Sequence, residues 1–412
     1  MNTKINLGNR IQVAPLLATS TLILILLSSC QQQPLFYLSE NGVTIKCPQA
    51  EAGTTGIVDG VEYEAVKNEL LRIRISEGAN LRYLCTSNVT DMHALFDPYD
   101  LRNANNTLNP NNMNISNWDT SNVTNMTAVF RFTKDFNWEI NNWDTGNVTT
   151  MRLMFSGSEF NRPLDQWDVS NVTDMSQMFA YTHFNQNISQ WNTQNVIVME
   201  GMFANSRFNE PLDHWDVSNV EDMSAMFSNS IFDQSIESWN TASVKNMGYM
   251  FHQSRFNHPI DSWDTSSVQR MHSMFSRSIF NQPLNSWDVS NVTYMTDMFA
   301  YSRFNKPIDS WNTRNVTNMN SMFYFSEFNQ NIAHWDVRNV RDMSFMFACS
   351  PFSHPIQEWQ WRISKDTFLF GMFDTHYAHA EDFFTYLQQF DKDVSYEVFT
   401  KKEFCVPLRT QN

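Results

Sequence analysis

Glycine is scarce in this chain, 11 residues of 412, and charged residues make up only 17 %. There is neither a phosphate-cradling glycine loop nor a Gly-x-Ser-x-Gly nucleophile elbow, so nucleotide chemistry and serine hydrolysis lose their usual sequence signs. The five cysteines form no Cys-x-x-Cys pair, which leaves thiol redox catalysis and cysteine-based zinc sites without support. Only His376-x-x-His379 with Glu381 comes near a metal-ligand spacing, and it lacks the i, i+4 histidine pair of a zinc protease. Carboxylates are plentiful, but none is set apart in an irregular surrounding as an acid–base pair would be. The chain is therefore read as a non-enzyme, with no catalytic residues, no metal and no cofactor. Acidic residues number 43 against 28 basic, a net charge of −15, so attraction to phosphate is opposed and nucleic acid is not an expected partner.

What is present begins with an address. Residues 1–10 carry the cations Lys4 and Arg10, Ile11 to Leu27 is apolar, and Leu27-Ser28-Ser29-Cys30 follows. That order is an export signal, and its last four residues match the bacterial lipobox, whose cysteine thiol takes diacylglycerol before cleavage. Thr19, Ser20 and Thr21 interrupt the apolar run and argue against a membrane span. Residues 1–29 are read as a lipoprotein signal peptide, and Cys30 as the lipid-bearing first residue that holds the chain on a membrane of the bacterial envelope. Gln31 suits the outer membrane or cell surface. Cleavage removes two cations and no acid, leaving a net charge of about −17. In an oxidising compartment Cys47 and Cys85 are the expected disulfide, Cys349 falls in a repeat close to the interior, and Cys405 is left over.

A period of 24 residues organises the rest. Trp143, Trp167, Trp191, Trp215, Trp239, Trp263, Trp287, Trp311, Trp335 and Trp359 keep that spacing, with Trp118 a further 25 residues upstream. A Met-x-x-Met-Phe segment recurs in step, as Met175/Met178/Phe179 and Met199/Met202/Phe203, and each unit closes on Phe-Asn, as in Phe184-Asn185. Leu164, Trp167 and Val169 predict a short strand, and Met175, Met178 and Phe179 have the i, i+3, i+4 spacing of a helical or 3-10 turn. A lone unit cannot bury its apolar side chains, whereas stacked units share one core. The expected fold is a solenoid of the leucine-rich-repeat kind over residues 84–375, with short parallel strands and short helical segments in each coil. At strand spacing, eleven or twelve coils would span about 50 to 60 Å. Asparagine columns, one through Asn161, Asn185 and Asn209 and another through Asn147, Asn171 and Asn195, are expected to satisfy turn backbone in place of glycine.

The unit from Trp167 to Phe179 resembles the repeat of BspA-like leucine-rich-repeat surface proteins, the domain-of-unknown-function family 285. That resemblance implies an exported, often lipidated surface protein associated with adhesion and partner binding, and it supplies no catalytic residues. Many such repeats carry Gly-Cys after Met-Phe, whereas serines such as Ser206, Ser230 and Ser254 hold the Cys-like place here.

Two caps are expected. Residues 30–83 supply anchor, tether and N-terminal cap, with a strand at Val43-Thr44-Ile45, a turn at Asp59-Gly60, and a helical face of Tyr63, Val66, Leu70 and Ile73. Residues 376–412 supply the C-terminal cap, with Phe383, Phe384, Leu387 and Phe390 on an amphipathic helix. Three surface features are candidates for binding. Arg207, Arg255 and Arg303 alternate with Ile231 and Ile279 in a ridge. Tyr181, Tyr301 and Tyr324 could add aromatic contacts. A column of Asp and Asn after the tryptophans, including Asp168, Asn192 and Asp216, is either a cation or carbohydrate face or a solvated edge of turn hydrogen bonds.

The leading expectation is an envelope lipoprotein, membrane-attached by its lipid, whose repeats bind a protein or glycan partner. The alternatives are a structural envelope spacer without a specific ligand and, more weakly, an uncharacterised hydrolase using the C-terminal segment. Cys30→Ala should abolish both lipid labelling and cleavage at that site; normal labelling of the variant would refute the lipoprotein reading.

Overall fold

In the computed structural model, residues 33–100, 112–359, 362–364, 366–373 and 377–388 are described. Cys30, the signal segment, most of the polar insertion after Leu101, Trp361, His376, Phe390 and Cys405 lie outside the described residues, as does the Leu387 side chain. Contacts separate Met1–Pro34 from Leu35–Asn412, and every described strand and helix lies in the second unit.

Its backbone is joined by eleven parallel bridges, running from Asp91↔Asn125 through Asp174↔Val198 to Asp342↔Phe368. Each repeat therefore pairs with the next. The pairing lies along Met-x-x-Met-Phe, not along the tryptophan segment. Met175, Gln177, Phe179 and Tyr181 donate their N–H groups to the carbonyls of Val198, Glu200, Met202 and Ala204, at 3.0, 2.7, 3.0 and 2.8 Å. Between them Met178 and Ala180 close turns on Met175 and Gln177. Alternate amides thus reach the neighbouring coil while the others fold the chain locally.

Two expectations are corrected here. The segment is a chain of tight turns and not a helix, because a piece this short cannot meet the cost of helix nucleation when a neighbouring row of carbonyls is already in place. The i, i+3, i+4 spacing of buried side chains suits either geometry. The strand expected at Leu164–Val169 is a pair of turns, with Trp167 N–H on Leu164 and Val172 N–H on Val169. There the coils are linked through side chains: the Trp167 indole donates to the Ile140 carbonyl at 3.0 Å, and the Thr145 hydroxyl to the Asp168 carbonyl at 2.8 Å.

The core is a set of columns. Trp143 and Trp167 stack with ring centroids 6.4 Å apart and planes 1° from parallel, and Phe155 and Phe179 stack at 5.6 Å. Met175, Met178, Phe179 and Phe184 are fully buried, as are their counterparts in the other coils. The expected asparagine columns carry their bonds from coil to coil. Asn171 donates to the Gly146 carbonyl at 2.6 Å, and the Asn185 backbone amide donates to the Asn161 side chain at 3.0 Å. Buried Ser230 donates to the Phe227 carbonyl at 2.8 Å, closing the turn where the resembling repeats carry cysteine.

Before the repeats, β1 (Tyr37–Leu38) pairs antiparallel with β2 (Ile45–Lys46). Strands β3 (Thr55–Val58) and β4 (Val61–Ala65) form a hairpin around Asp59-Gly60, both in the left-handed region at φ 51° and 81°. Helix α1 (Asn68–Ser76) follows, and β5 (Leu84–Cys85) runs parallel to β4. Because β4 extends to Ala65, Tyr63 of the expected face lies in a strand; within α1 Leu71 and Ile75 are buried, Leu70 packs partly buried on the core, and Ile73 is exposed. Cys47 and Cys85 are disulfide-bonded, and Cys349 is disulfide-bonded as well, partly exposed on the outer side of its coil and not in the interior. Asn68 does what a preceding coil does elsewhere. Thr149 and Thr173 donate backward to Thr124 and Thr149, whereas the first coil has no predecessor and Thr90 donates to the Asn68 side chain at 2.9 Å. Helix α2 (Ala380–Gln388) sets Phe383 edge-on to Phe373 at 6.1 Å after the last coil.

The turns have a conformational cost. One residue at the middle of each Met-x-x-Met and one two residues past the phenylalanine have positive φ, and most are not glycine: Gln177 (54°), Tyr249 (58°) and Gln253 (53°) are examples. Glycine holds the position at 157, 201 and 371. Exposed Gln253→Gly should therefore stabilise the chain by about 0.5 to 1 kcal/mol, and Gly201→Ala should destabilise it by about 1 kcal/mol. Denaturant unfolding checks both; unchanged midpoints would mean that the stack absorbs the strain.

Candidate functional site

The ladder buries its methionines and phenylalanines and turns the intervening side chains outward. In coils around residues 176 to 229 these outward residues are mostly small or polar, such as Gln177, Gly201, Ala225 and Asn229. From residue 249 onward aromatics take several of these places. Tyr249 (43 % exposed), Tyr294 (47 %), Phe368 (68 %) and Phe370 (36 %) share this face. Exposed aromatics gathered on one face are not needed for the core and make this face the candidate site.

The rings are ordered by mutual packing. Arg277 lies 4.2 Å over the Tyr301 ring, which stacks on Phe325 at 5.2 Å and meets Tyr324 edge-on at 5.3 Å. Phe345 and Phe370 meet edge-on at 5.2 Å. Burial, with Tyr301 beside it, pushes the Tyr324 hydroxyl up to about 12. Upstream, Tyr249 packs edge-on against His272 at 5.0 Å and His252 at 5.6 Å.

Beside the Tyr249–His272 pair lies a cleft of about 500 Å³ lined by Tyr249, Arg270, His272, Ser273, Tyr294, Thr296 and Asp297. Gly248 shapes it: a Cβ at that position would run into the His272 ring, so only glycine lets the imidazole lie down on the preceding coil. Burial holds the His272 pKa below the usual value of 6.5, with Arg270 adding to the effect. Burial likewise lowers His252, with Arg277 contributing. Burial raises the Asp297 carboxyl, and Arg277 only partly opposes this.

The residues singled out from sequence are distributed over more than one region. Tyr301 and Tyr324 belong to the aromatic face. Tyr181 is 61 % exposed in the same column as Tyr301, but Asn205, Asn229 and Gln253 stand between it and the cluster. Arg207, Arg255 and Arg303 are exposed and alternate with exposed Ile231 and Ile279, and they form no ion pair among the described residues. They lie beyond the buried serines that end the ladder segment, so the structure does not bring them into the cleft. The Asp/Asn column serves turns: Asp168 and Asp216 accept from the amides of Ser170 and Ser218 at 2.9 and 3.0 Å, and the Ser218 hydroxyl and amide hold the Asp216 carboxyl below its usual range. No group of three His, Cys, Asp or Glu is placed to hold a metal among the described residues.

Sequence reasoning missed Tyr249, Arg270, His272, Tyr294 and Asp297. The signal was available in the repeat register, because Arg270 and Tyr294 occupy the place held by Asp174, Asp222 and Asp342. Placing the ladder on the tryptophan segment hides the outward orientation of those positions.

The two half-buried imidazoles make a pH prediction. Their folded pKa values lie below 6.5, so the unfolded chain binds more protons as pH falls through that value, and the stability present above it is lost below it. The melting temperature should therefore drop on acidification below about pH 6.5, and His252→Gln with His272→Gln should flatten that part of the profile. An unchanged profile in the double variant would refute the assignment.

The chain matches the family described as "Mycoplasma protein of unknown function, DUF285" over residues 73–180, 99–210, 199–303 and 278–390. No curated protein matches it. The four matched stretches overlap and together take in the whole bridged array from Asp91 to Phe368. With most of its length covered by this repeat, the chain belongs to the DUF285 family.

Proposed function

We propose that this chain is a BspA-like surface lipoprotein, a solenoid of the leucine-rich-repeat kind carried on the bacterial envelope by lipid at Cys30, and that it binds a protein or glycan partner through its ladder face. One observation carries the reading: exposed Tyr249, Tyr294, Phe368 and Phe370 gather along one side of the coils. A spacer needs only a solvated surface, and apolar rings presented to water there would bring solubility costs without benefit. Tyrosine and arginine are also the residues that dominate binding energy at interfaces. No catalytic step, cofactor or nucleic-acid partner is part of this function.

The test is capture by purified residues 31–412, produced without the signal segment and the lipid, on panels of matrix proteins and envelope polysaccharides. At least one ligand should be captured, and the triple variant Tyr249→Ala, Tyr294→Ala, Phe368→Ala should lose at least tenfold in affinity, about 1.4 kcal/mol or more. Absence of any ligand, or full retention of capture by the triple variant, would favour the spacer.

A further inference from the structure

We propose that the cleft bounded by Tyr249, Arg270, His272, Tyr294 and Asp297 is a glycan-binding site that takes an uncharged pyranose unit of an oligosaccharide. This assignment rests on the binding-module reading and names the chemistry of the ligand.

The ladder position before the first methionine varies from coil to coil. Where it is a carboxylate, its own coil uses it: Asp174, Asp222 and Asp342 accept from the amides of Ser176, Ser224 and Ser344 at 2.8, 2.8 and 2.9 Å. In two of the three coils that line the cleft this place is taken by Arg270 and Tyr294, and in the third by Asn246. The carboxylate reappears three residues on as Asp297, in the left-handed conformation at φ 55°. There its carboxyl oxygens accept no hydrogen bond among the described residues, although the side chain is half-buried. Neither the Arg270 guanidinium nor the His272 ring has a hydrogen-bond partner among the described residues. Asp297 and His272 are half-buried, so leaving them unpaired is unfavourable and a ligand that meets them recovers that free energy, while exposed Arg270 stands hydrated at the rim as a charged donor.

The mixture of groups selects the ligand. A charged donor, a charged acceptor, a neutral imidazole and two phenols converge on one depression. A hydroxyl both donates and accepts, so a polyol can serve all of them at once. The tyrosine rings offer apolar surface to the C–H faces of a sugar ring, in the manner of small-ligand sites that combine aromatic walls with a few placed polar groups. The volume of about 500 Å³ lies within the usual range for such sites. An anionic sugar would meet Asp297 in a chain of net charge −15, and an ammonium ligand would meet Arg270 with Arg277 close behind. Gly248 adds an independent constraint, since a Cβ there would meet the His272 ring and displace it from its place in the cleft wall.

Calorimetric titration of the mature chain with cellohexaose, maltohexaose and chitohexaose, and with an oligogalacturonate as the acidic comparison, tests the site. At least one neutral hexaose should bind, with affinity at least tenfold weaker in Asp297→Ala and in Tyr294→Ala and unchanged in Glu200→Ala, an exposed position outside the cleft. Gly248→Ala should also weaken binding at least tenfold while both tyrosines remain. Far-ultraviolet dichroism and melting establish that each variant is folded, and Asp297→Asn should melt no lower than the parent at neutral pH because it removes a half-buried charge. Failure of all three neutral probes, equal binding by the cleft variants, or preference for the acidic probe would overturn the assignment. A protein ligand still captured by the ladder face in that event would leave the broader reading standing, and loss of both would remove the two together.

Discussion

A backbone amide inside one of these coils has no strand or helix of its own to complete it, and where a local turn does not take it, its partner is the coil next door. The 24-residue period puts that partner in register each time. From Met175 to Tyr181 every second N–H crosses to the following coil, and where the backbone ladder stops, Trp167, Thr145, Asn171 and Asn161 continue the crossing through side chains. Burial of the aromatic core and satisfaction of its polar backbone are thus the same event, because stacking two coils accomplishes both. The ends of the array expose what the middle hides. Asn68 supplies the acceptor that the first coil lacks, and Asn88 donates to the Ala50 carbonyl of the cap at 3.1 Å where later coils would find a preceding repeat.

Much of this was legible in sequence because the relevant residues are chemically single-minded. A tryptophan every 24 residues admits few explanations, and the buried Trp, Met and Phe columns follow from it. The Cys47–Cys85 pairing and the asparagine columns could also be anticipated. The secondary structure of each coil could not be derived in the same way. Met175, Met178 and Phe179 share a face in a helix and also in successive turns, and only the availability of carbonyls on Val198, Glu200 and Met202 decides between them. Local spacing contains no information about a partner one coil away. The same gap displaced the buried face of α1, whose start was set by how far β4 continued.

The candidate site was less legible for a related reason. Its residues are departures from the repeat, and a reading built on regularity gives departures little weight. Arg207, Arg255 and Arg303 stand out because they recur, yet recurrence is the mark of scaffold. Tyr249, His272, Tyr294 and Asp297 each occur once in their local setting, and their proximity depends on a ladder that brings together residues 22 to 25 apart in sequence.

The spacing of the bridges is not uniform. It is 34 residues between Asp91 and Asn125, 25 to Thr150, and 26 between Asp342 and Phe368, while the ladder itself continues unbroken. Pitch is therefore set by the seam, and extra chain is extruded elsewhere on the coil. A recombination between any two repeats would preserve every seam bond and alter only which outward side chains become neighbours. The surface chemistry of such a molecule can be reshuffled as a set of interchangeable tiles, with the core contributing the same fit at every join.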